Sequence, residues 1–322
     1  MDTQAEQLFV QDVPERPERP APEGGQVIER GSEAWPPSLD DLAHPPERLF
    51  CLGDSTALQG PCVSIVGARR PTPYGEAIAE FAGRIAAECG VTVVSGGAMG
   101  CDVVAERAAL AAGGRTVLVA GAGADVTYPR RSSDVFEAAR AGRGCVASLM
   151  PWGYEPLPFV FPQRNPVIAA LSAATIVCEA GLPSGTLSTA EAAAEMGRTL
   201  LAIPGSIFSP QSRGCNRLIC DGAQPVTDES ELEGALCGLY GTLRRETLGG
   251  TPDRGRLLSA LVASPLRVDE LSARLDLSLA RVMRAITAYE VRGLVCRLPD
   301  GRISATRQAL LMRGDVPREQ GL

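Results

Sequence analysis

Short apolar runs alternate with longer amphipathic stretches through the middle of this chain. The runs have the length of buried strands, and the stretches between them have the length and periodicity of helices. The predicted strands are Cys62–Val66, Thr92–Ser95, Thr116–Val119, Gly144–Ser148, Thr175–Cys178 and Leu200–Ile203. The predicted helices are Tyr74–Glu88, Asp102–Ala111, Ser133–Ala141, Pro166–Ser172 and Thr189–Met196. This alternation requires parallel strands joined by helical crossovers, so the chain is constrained to an α/β fold with a doubly wound, mostly parallel sheet.

Two of these strands end in glycine-rich turns that are typical of phosphate sites. The first turn is Ser64–Arg69 and the second is Ser95–Asp102, and a predicted helix follows each of them. A strand that ends at a glycine just before a helix leaves backbone N–H groups unpaired, and the helix dipole adds partial positive charge there. With Arg69 beside the first turn, the sequence predicts a phosphate-bearing ligand at the carboxyl ends of the strands.

Several residue types that enzymes depend on are absent. The chain has no lysine, which excludes a Walker A loop and any cofactor held as a Schiff base. The only histidine, His44, lies in a proline-rich stretch, so neither a Ser-His-Asp triad nor a multi-histidine metal site can be assembled. Gly67 stands alone, which excludes the dinucleotide fingerprint. We therefore predict a protein that is not an enzyme and has no catalytic residue, metal or cofactor.

Charge is unevenly distributed along the chain. The net charge is −7, but the first 60 residues hold 4 Arg and 12 Asp plus Glu, so the remaining residues carry a net charge near +1. Local potential governs phosphate binding, and arginines gather at predicted loop positions in this second part. They are Arg69, Arg70, Arg130, Arg131, Arg164, Arg213 and Arg217.

The sequence predicts a cytoplasmic protein. No run of eighteen apolar residues occurs, and the N-terminal stretch is acidic and proline-rich, so neither a membrane span nor a signal peptide is expected. The 10 cysteines are scattered without a C-x-x-C pair and fall mostly in apolar runs. This pattern favours small core residues in a reducing compartment over disulfides or metal ligands.

Composition also divides the chain into segments. Residues 1–25 are predicted to be a disordered acidic, proline-rich tail, and residues 26–60 a lead-in segment packed on the core. The sheet domain is expected over residues 61–240. Residues 241–251 are predicted to be a linker, in which Arg244 is expected to be solvated.

A second, smaller pattern follows the linker. Three amphipathic helices and a hairpin signal over residues 252–308 predict a winged helix, and residues 309–322 are expected to be a flexible tail. Winged helices bind either duplex DNA, through the third helix, or another protein. The sequence leaves both alternatives open.

The predicted strand ends carry a set of motifs in a fixed order. The motifs are Ile65–Gly75, Val93–Asp102, Asp125–Arg130, Phe161–Asn165, Ser184–Ala190, Ile203–Ser206, Gly214–Ile219 and Asp221–Ala223. From about Val27 to Leu232, and more weakly through the winged helix, they resemble the DNA-processing protein A family (DprA, also called Smf).

The resemblance implies an extended Rossmann-like domain in a cytoplasmic homodimer that binds single-stranded DNA. The family protects incoming strands during natural transformation and loads a RecA-type recombinase onto them. A single-stranded-DNA-binding protein is a further expected partner. The implied function is therefore that of a recombination mediator.

The resemblance also implies which residues contact the DNA. Arg69 matches the arginine after the first glycine turn, Arg130 matches the basic position after Tyr-Pro, and Arg164 with Asn165 matches the family's Arg-Asn pair. Arginine forks bridge phosphates, and aromatic rings offer stacking faces to bases. The expected DNA or phosphate ligands are Gly67, Arg69, Arg70, Gly96, Gly97, Gly100, Tyr128, Arg130, Phe161, Arg164, Asn165, Ser184, Gly185, Thr186, Asn216 and Arg217.

Two of these residues have structural alternatives, and two positions depart from the family pattern. Phe161 is either a stacking face or a core side chain, and Asn216 either binds phosphate or caps a helix opened by Arg217. Met99 stands where the family usually has a basic residue, and Pro166 replaces an arginine after the Arg-Asn pair. Both departures remove positive charge, so weaker DNA binding than in the family at large is expected.

Two other functions compete with this interpretation. A nucleotide phosphoribohydrolase of the lonely-guy type has the same fold, but its motif P-G-G-x-G-T-x-x-E requires a glutamate where Thr189 stands. Glu191 lies two residues further on and is turned by about 200° around the helix. The other competitor is a nucleotide-sensing module without DNA binding, which is favoured if the arginine loops are buried in ion pairs.

Overall fold

A computed structural model describes residues 19–244 and 255–312. It contains an α/β sheet domain followed by a winged helix, so the predicted fold class is confirmed. Residues 1–18 of the predicted disordered tail, residues 245–251 of the expected linker and most of the expected C-terminal tail fall outside the described residues, whereas Gly25, at the end of the predicted disordered tail, begins a strand. Within residues 19–244 and 255–312, no helix has both the length and the apolar character needed to span a membrane.

The sheet domain contains nine strands and seven α-helices within the described residues. The strands are β1 (Gly25–Glu29), β2 (Arg48–Gly53), β3 (Cys62–Val66), β4 (Thr92–Ser95), β5 (Thr116–Ala120), β6 (Gly144–Ser148), β7 (Ala174–Val177), β8 (Thr199–Ala202) and β9 (Gln224–Pro225). The helices are α1 (Pro73–Glu88), α2 (Cys101–Ala111), α3 (Ser133–Ala138), α4 (Val160–Ala170), α5 (Thr186–Glu195), α6 (Arg213–Cys220) and α7 (Glu229–Tyr240).

The winged helix follows as a separate core of three helices and a hairpin. It consists of α8 (Gly255–Ala263), α9 (Val268–Leu275), α10 (Leu279–Val291), β10 (Val295–Arg297), β11 (Ile303–Ala305) and the short α11 (Arg307–Leu310). Leu258, Leu271, Ile286 and Ile303 are completely buried in this core. Ala309, which was expected to lie in a flexible tail, is buried with them.

The order of the strands places the candidate site. It is β1-β2-β6-β5-β4-β3-β7-β8-β9, and all neighbours from β6 to β9 are parallel. The chain proceeds from β3 to β6 in one direction and from β7 to β9 in the other. The direction therefore reverses between β3 and β7, where α/β proteins bind their ligands at the carboxyl ends of the strands.

Helices cover both faces of the sheet, which is why the central strands are buried along their whole length. On one face, Ile65 and Val93 pack with α1 and α2 around Ile85. On the other face, Val94 and Val119 belong to the cluster that includes Ile168 of α4. The two layers of helices leave the carboxyl edge of the sheet open to solvent.

The lead-in segment is more regular than the sequence suggested. Residues 26–60 were expected only to pack on the core, but they include β1 and β2, which extend the sheet beyond β6 in antiparallel pairs. Leu49, Phe50 and Cys51 of β2 are buried. A buried run of three residues between proline-rich stretches is too short to be recognised as a strand from its pattern.

Two predicted helix starts were wrong, and one helix was missed. Helix α4 begins at Val160 rather than at Pro166. Proline is usual in the first turn of a helix, which is why the start was expected there, but Pro166 lies inside this helix. Helix α6 begins at Arg213, four residues before the expected start at Arg217. Helix α7 was not predicted.

Arg244 is buried, which corrects the expectation that it is solvated. Its side chain is 1% exposed and forms ion pairs with Glu88, Glu229 and Glu233. Burial lowers the pKa of Arg244, but hydrogen bonds to the three carboxylates outweigh that effect and leave its pKa raised. The start of the expected linker is therefore anchored to α1 and α7.

Candidate nucleic-acid interface

The two glycine turns have carboxylates of the protein itself beside their backbone N–H groups. The Gly97 N–H donates to Glu106 Oε1 over 3.2 Å, and the backbone N–H groups of Gly96 and Gly67 act to lower the pKa of Asp102 against the larger effect of its burial. Both carboxylates come from α2 and are buried. This corrects the expectation of a free backbone phosphate cradle, because the protein's own carboxylates already lie beside it.

Burial changes the pKa of both carboxyl groups. Desolvation raises the pKa of Asp102, and it raises the pKa of Glu106 well above its ordinary value, with the Asp102 charge as a second cause. Glu106 Oε2 has no hydrogen-bond partner among the described residues. An additional anion placed in these turns would lie beside two buried carboxyl groups.

A third carboxylate closes the crevice between β3 and β7. Glu179 Oε1 accepts a hydrogen bond from Thr72 Oγ1 over 2.6 Å, and its Oε2 accepts from the Thr72 backbone N–H over 2.8 Å. The Glu179 backbone oxygen accepts from the Ala68 N–H over 2.8 Å. Burial raises the pKa of Glu179. The N-terminus of α1, the helix that follows the first glycine turn, therefore has Glu179 bound at its capping residue Thr72.

Arg164 lies inside the protein, not on a surface loop as expected. It is 3% exposed, and its Nη1 donates to the Val119 backbone oxygen over 2.9 Å. A Cβ at Gly96 would come within 1.7 Å of that nitrogen, so only glycine leaves room for the guanidinium. Burial lowers the pKa of Arg164, while the charges of Asp102 and Glu106 act in the opposite direction. The charges of Asp102 and Glu106 thus favour the charged form of the buried Arg164 guanidinium.

An exposed cluster of Arg69, Tyr128 and Phe161 lies outside this interior, and we call it the rim cluster. The Arg69 guanidinium carbon is 5.8 Å from the centre of the Phe161 ring, and the centre of the Tyr128 ring is 5.7 Å from the centre of the Phe161 ring. Arg69 is exposed and Tyr128 is 49% exposed. Guanidinium and aromatic groups so arranged can bind phosphates and stack on bases.

Phe161 is half-buried, so its ring is partly a core side chain and partly an exposed face, the two roles that the sequence left open. One side of the ring lies on the backbone of Gly121, where a Cβ would come within 2.6 Å of a ring carbon. The ring is also in contact with Arg69 and Tyr128 of the rim cluster. Gly121 thus supports the ring at the carboxyl end of β5, and the ring stays partly exposed.

Further arginines surround the rim cluster at the carboxyl ends of the strands. Arg70, Arg130, Arg131 and Arg213 are exposed, and their side chains form no ion pair with another described residue. Arg217 is 69% exposed and pairs with Asp221 over 2.8 Å. The edge therefore carries uncompensated positive charge, as the clustering of arginines predicted. The burial in ion pairs that would have favoured a nucleotide sensor is not found at these loops.

Four other expected ligands connect the start of α5 to the first glycine turn. Thr186 Oγ1 donates to the Gly67 backbone oxygen over 3.0 Å, and the Thr186 N–H donates to Ser184 Oγ over 3.3 Å. Asn165 Nδ2 donates to Ser188 Oγ over 2.8 Å. Gly185 is exposed. These residues lie beside the site, but their polar side chains already serve the protein itself.

Asn216 neither caps a helix nor points to solvent as a free ligand. It lies inside α6, its Oδ1 accepts from the Gly205 N–H over 3.1 Å, and its Nδ2 donates to the Gly205 backbone oxygen over 3.0 Å. Both polar atoms of the amide hold the loop after β8. This contact corrects both sequence alternatives for Asn216.

Sequence reasoning missed the residues that fill the turns. Asp102 stands at the end of the second glycine motif, and an acidic residue in the first turn of a helix was a signal that the helix start could be satisfied internally. Glu106 and Glu179 gave no comparable signal. The set of residues 102, 106, 164 and 179 forms a buried charged layer beneath the exposed edge.

Two family models match this chain. The model described as DNA recombination-mediator protein A matches residues 26–236, and the model described as the DprA winged helix domain matches residues 243–301. Protein Smf of Escherichia coli is 33% identical to this chain over 299 residues, which cover 90% of this chain and 80% of that protein. The DNA processing protein DprA of Streptococcus pneumoniae is 38% identical over 200 residues, covering 62% and 70%.

Two solved structures have the same fold. DprA of Streptococcus pneumoniae matches with a TM-score of 0.61 and 36% identity, over 64% of this chain and 72% of that chain. DNA processing protein A of Helicobacter pylori, described in a study of its single-stranded DNA binding mode, matches with a TM-score of 0.61 and 31% identity, over 67% and 97%. With both domains matched in order along the sequence, the chain belongs to the DNA recombination-mediator protein A family.

Proposed function

We propose that this protein binds single-stranded DNA along the carboxyl edge of its sheet and mediates recombination by presenting that strand. The Helicobacter pylori relative is described by its single-stranded DNA binding mode, which supports the same class of ligand here. The exposed arginines of this chain supply phosphate contacts, and the aromatic rings supply stacking faces that accept any base.

The rim cluster is the observation that carries the proposal. Arg69, Phe161 and Tyr128 place one guanidinium and two rings side by side at the edge, with ring centres 5.7 Å apart. Unpaired bases can stack on exposed rings, whereas the bases of a duplex are already stacked on each other. We therefore expect a preference for single strands and little dependence on sequence.

The filled turns argue against the nucleotide enzyme and the nucleotide sensor. A mononucleotide would depend on backbone N–H groups for its phosphate, but those of Gly97 and Thr72 already donate to Glu106 and Glu179, and Asp102 is buried beside Gly96. Thr189, which stands in place of the phosphoribohydrolase glutamate, is 2% exposed. DNA binding through exposed side chains needs neither the N–H groups nor an acid at that position.

The proposal includes the biological context that the family resemblance implies. The protein acts as a cytoplasmic homodimer without catalysis of its own, protects incoming strands during transformation and loads a RecA-type recombinase onto them. A single-stranded-DNA-binding protein is a further proposed partner. The winged helix is proposed to assist through either duplex DNA or protein contacts.

A binding titration tests this proposal. Fluorescence anisotropy compares labelled oligothymidylate, a duplex of equal length and thymidine monophosphate as a competitor, at about 50 mM and 200 mM salt. We expect tighter binding of the single strand, a strong loss of affinity at the higher salt, and no competition by the mononucleotide. Equal affinity for both DNA forms, or efficient competition by the mononucleotide, contradicts the proposal.

A further inference from the structure

The loop after β8 presents two large apolar side chains almost completely to solvent. Ile207 is 76% exposed and Phe208 is 89% exposed, the highest exposure of any large hydrophobic side chain in the described residues. Leu182, on the neighbouring loop after β7, is 52% exposed. Two consecutive apolar side chains on one loop present a surface that a ligand with a flat apolar face could cover.

The loop is held rigidly on both sides of its base. Tyr74 of α1 donates its hydroxyl to the Pro204 backbone oxygen over 2.8 Å, and Asn216 of α6 makes two hydrogen bonds to Gly205. A turn follows, in which the Ser209 N–H donates to the Ser206 backbone oxygen over 3.0 Å. The aromatic tip is thus positioned in advance, which lowers the entropy lost on binding.

The charges near the loop favour an anionic ligand. Arg213 begins α6 directly after the loop and is exposed, and its side chain forms no ion pair with another described residue. Asp221, the acidic residue at the end of the same helix, is paired with Arg217 over 2.8 Å. Exposed rings together with exposed guanidinium groups are the residue types that bind single-stranded nucleic acid, and Arg213 follows Phe208 by five residues.

We propose that Phe208 is a second base-stacking platform, on which the strand held at the rim cluster continues across the sheet. The inference rests on the proposed single-stranded DNA binding. Phe161 lies over the end of β5 and Phe208 follows β8, four strands away in the sheet order, which corresponds to about 19 Å. A strand that contacts both rings therefore crosses the reversal point between β3 and β7.

Affinity for a long oligothymidylate, measured with matched variants of the full chain, tests this inference. Phe208→Leu keeps an apolar side chain but removes the π face, and Phe208→Trp restores a ring. Leu243→Ala is the control, because Leu243 is 88% exposed and follows the C-terminal end of α7. We expect Phe208→Leu to lose affinity roughly 5- to 150-fold, while Phe208→Trp and Leu243→Ala bind like the wild type.

The outcomes separate this inference from the proposed function. If Phe208→Leu binds like the wild type while Phe161→Leu is weakened, the second platform is wrong and the proposed function stands. If the wild type itself does not prefer single strands, the proposed function fails. If Phe208→Leu changes the sedimentation coefficient of the free protein from dimer to monomer, the loop is an interface between copies and the inference is overturned.

Discussion

The glycine turns and the rim cluster lie at the same edge of the sheet, but the charged groups are buried in the turns and exposed at the rim. In the turns, Glu106 accepts from the Gly97 N–H, and Asp102, Glu106 and Arg164 are all buried. At the rim, Arg69 is exposed over an aromatic ring and pairs with no described carboxylate. A motif that looks like a phosphate cradle can therefore be an internal support for a surface that binds phosphate with side chains.

The comparison assigns two arginines of the same edge to different roles. Arg164 is expected to determine stability, because it compensates buried carboxylates. Arg69 is expected to determine affinity, because it is exposed and forms no ion pair with another described residue. Each variant below separates the two roles.

The largest effect is expected from the buried layer. Arg164→Ala leaves Asp102 and Glu106 buried without their compensating charge, which should lower the free energy of unfolding by about 3–5 kcal/mol. Urea unfolding monitored by circular dichroism measures this change. The corresponding loss for the exposed Arg69→Ala should stay within about 0.5 kcal/mol. Equal losses of unfolding free energy for the two variants would contradict the different roles assigned to Arg164 and Arg69.

A smaller effect, on affinity alone, is expected from the aromatic rings. Phe161→Leu keeps the apolar contact with Gly121 but removes a stacking face, which should cost about 1–3 kcal/mol of single-strand binding. Tyr128→Phe keeps a ring of the same size and should change the affinity by less than about twofold. Anisotropy titrations with oligothymidylate measure both variants. Wild-type affinity of Phe161→Leu would show that the ring is a core residue.

The smallest expected effect is a gain in affinity for single-stranded DNA. Met99 is 41% exposed on the second glycine turn, at the position where the family resemblance implies a basic residue. Met99→Arg should add one phosphate contact and strengthen single-strand binding by about 0.5–1.5 kcal/mol at low salt. The gain should fade as salt rises, because the contact is electrostatic. A variant with unchanged affinity at both salt concentrations would place Met99 away from the strand.

The sequence predicted the parts of this molecule that are local. Runs such as Cys62–Val66 identified the buried strands because consecutive apolar residues are needed there, and the arginine loops lie at the expected strand ends. The burial of Arg164 could not be predicted, since it depends on Asp102 and Glu106 from another helix and on the space above Gly96.

The same limit applies to other contacts between distant residues. Arg244 lies in a stretch without apolar pattern, and its three carboxylate partners come from α1 and α7. Asn216 had the sequence position of a helix cap, but its partner is Gly205 on the preceding loop. Local patterns therefore identified which residues are polar and near the edge, but not which of them face solvent.

The affinity and salt dependence of Arg69→Gln test the central claim most directly, with Arg115→Gln as the matched control. Arg115 also loses one charge, but it precedes β5 at the opposite edge of the sheet and pairs with Asp54 near the surface. Arg69→Gln should bind oligothymidylate at least about tenfold more weakly, with a slope of log K against log salt reduced by about 0.7. Arg115→Gln should match the wild type in both respects, and both variants should unfold at nearly the wild-type urea concentration. Equal affinity and equal slopes for the two variants would contradict the claim that phosphate is bound at the rim.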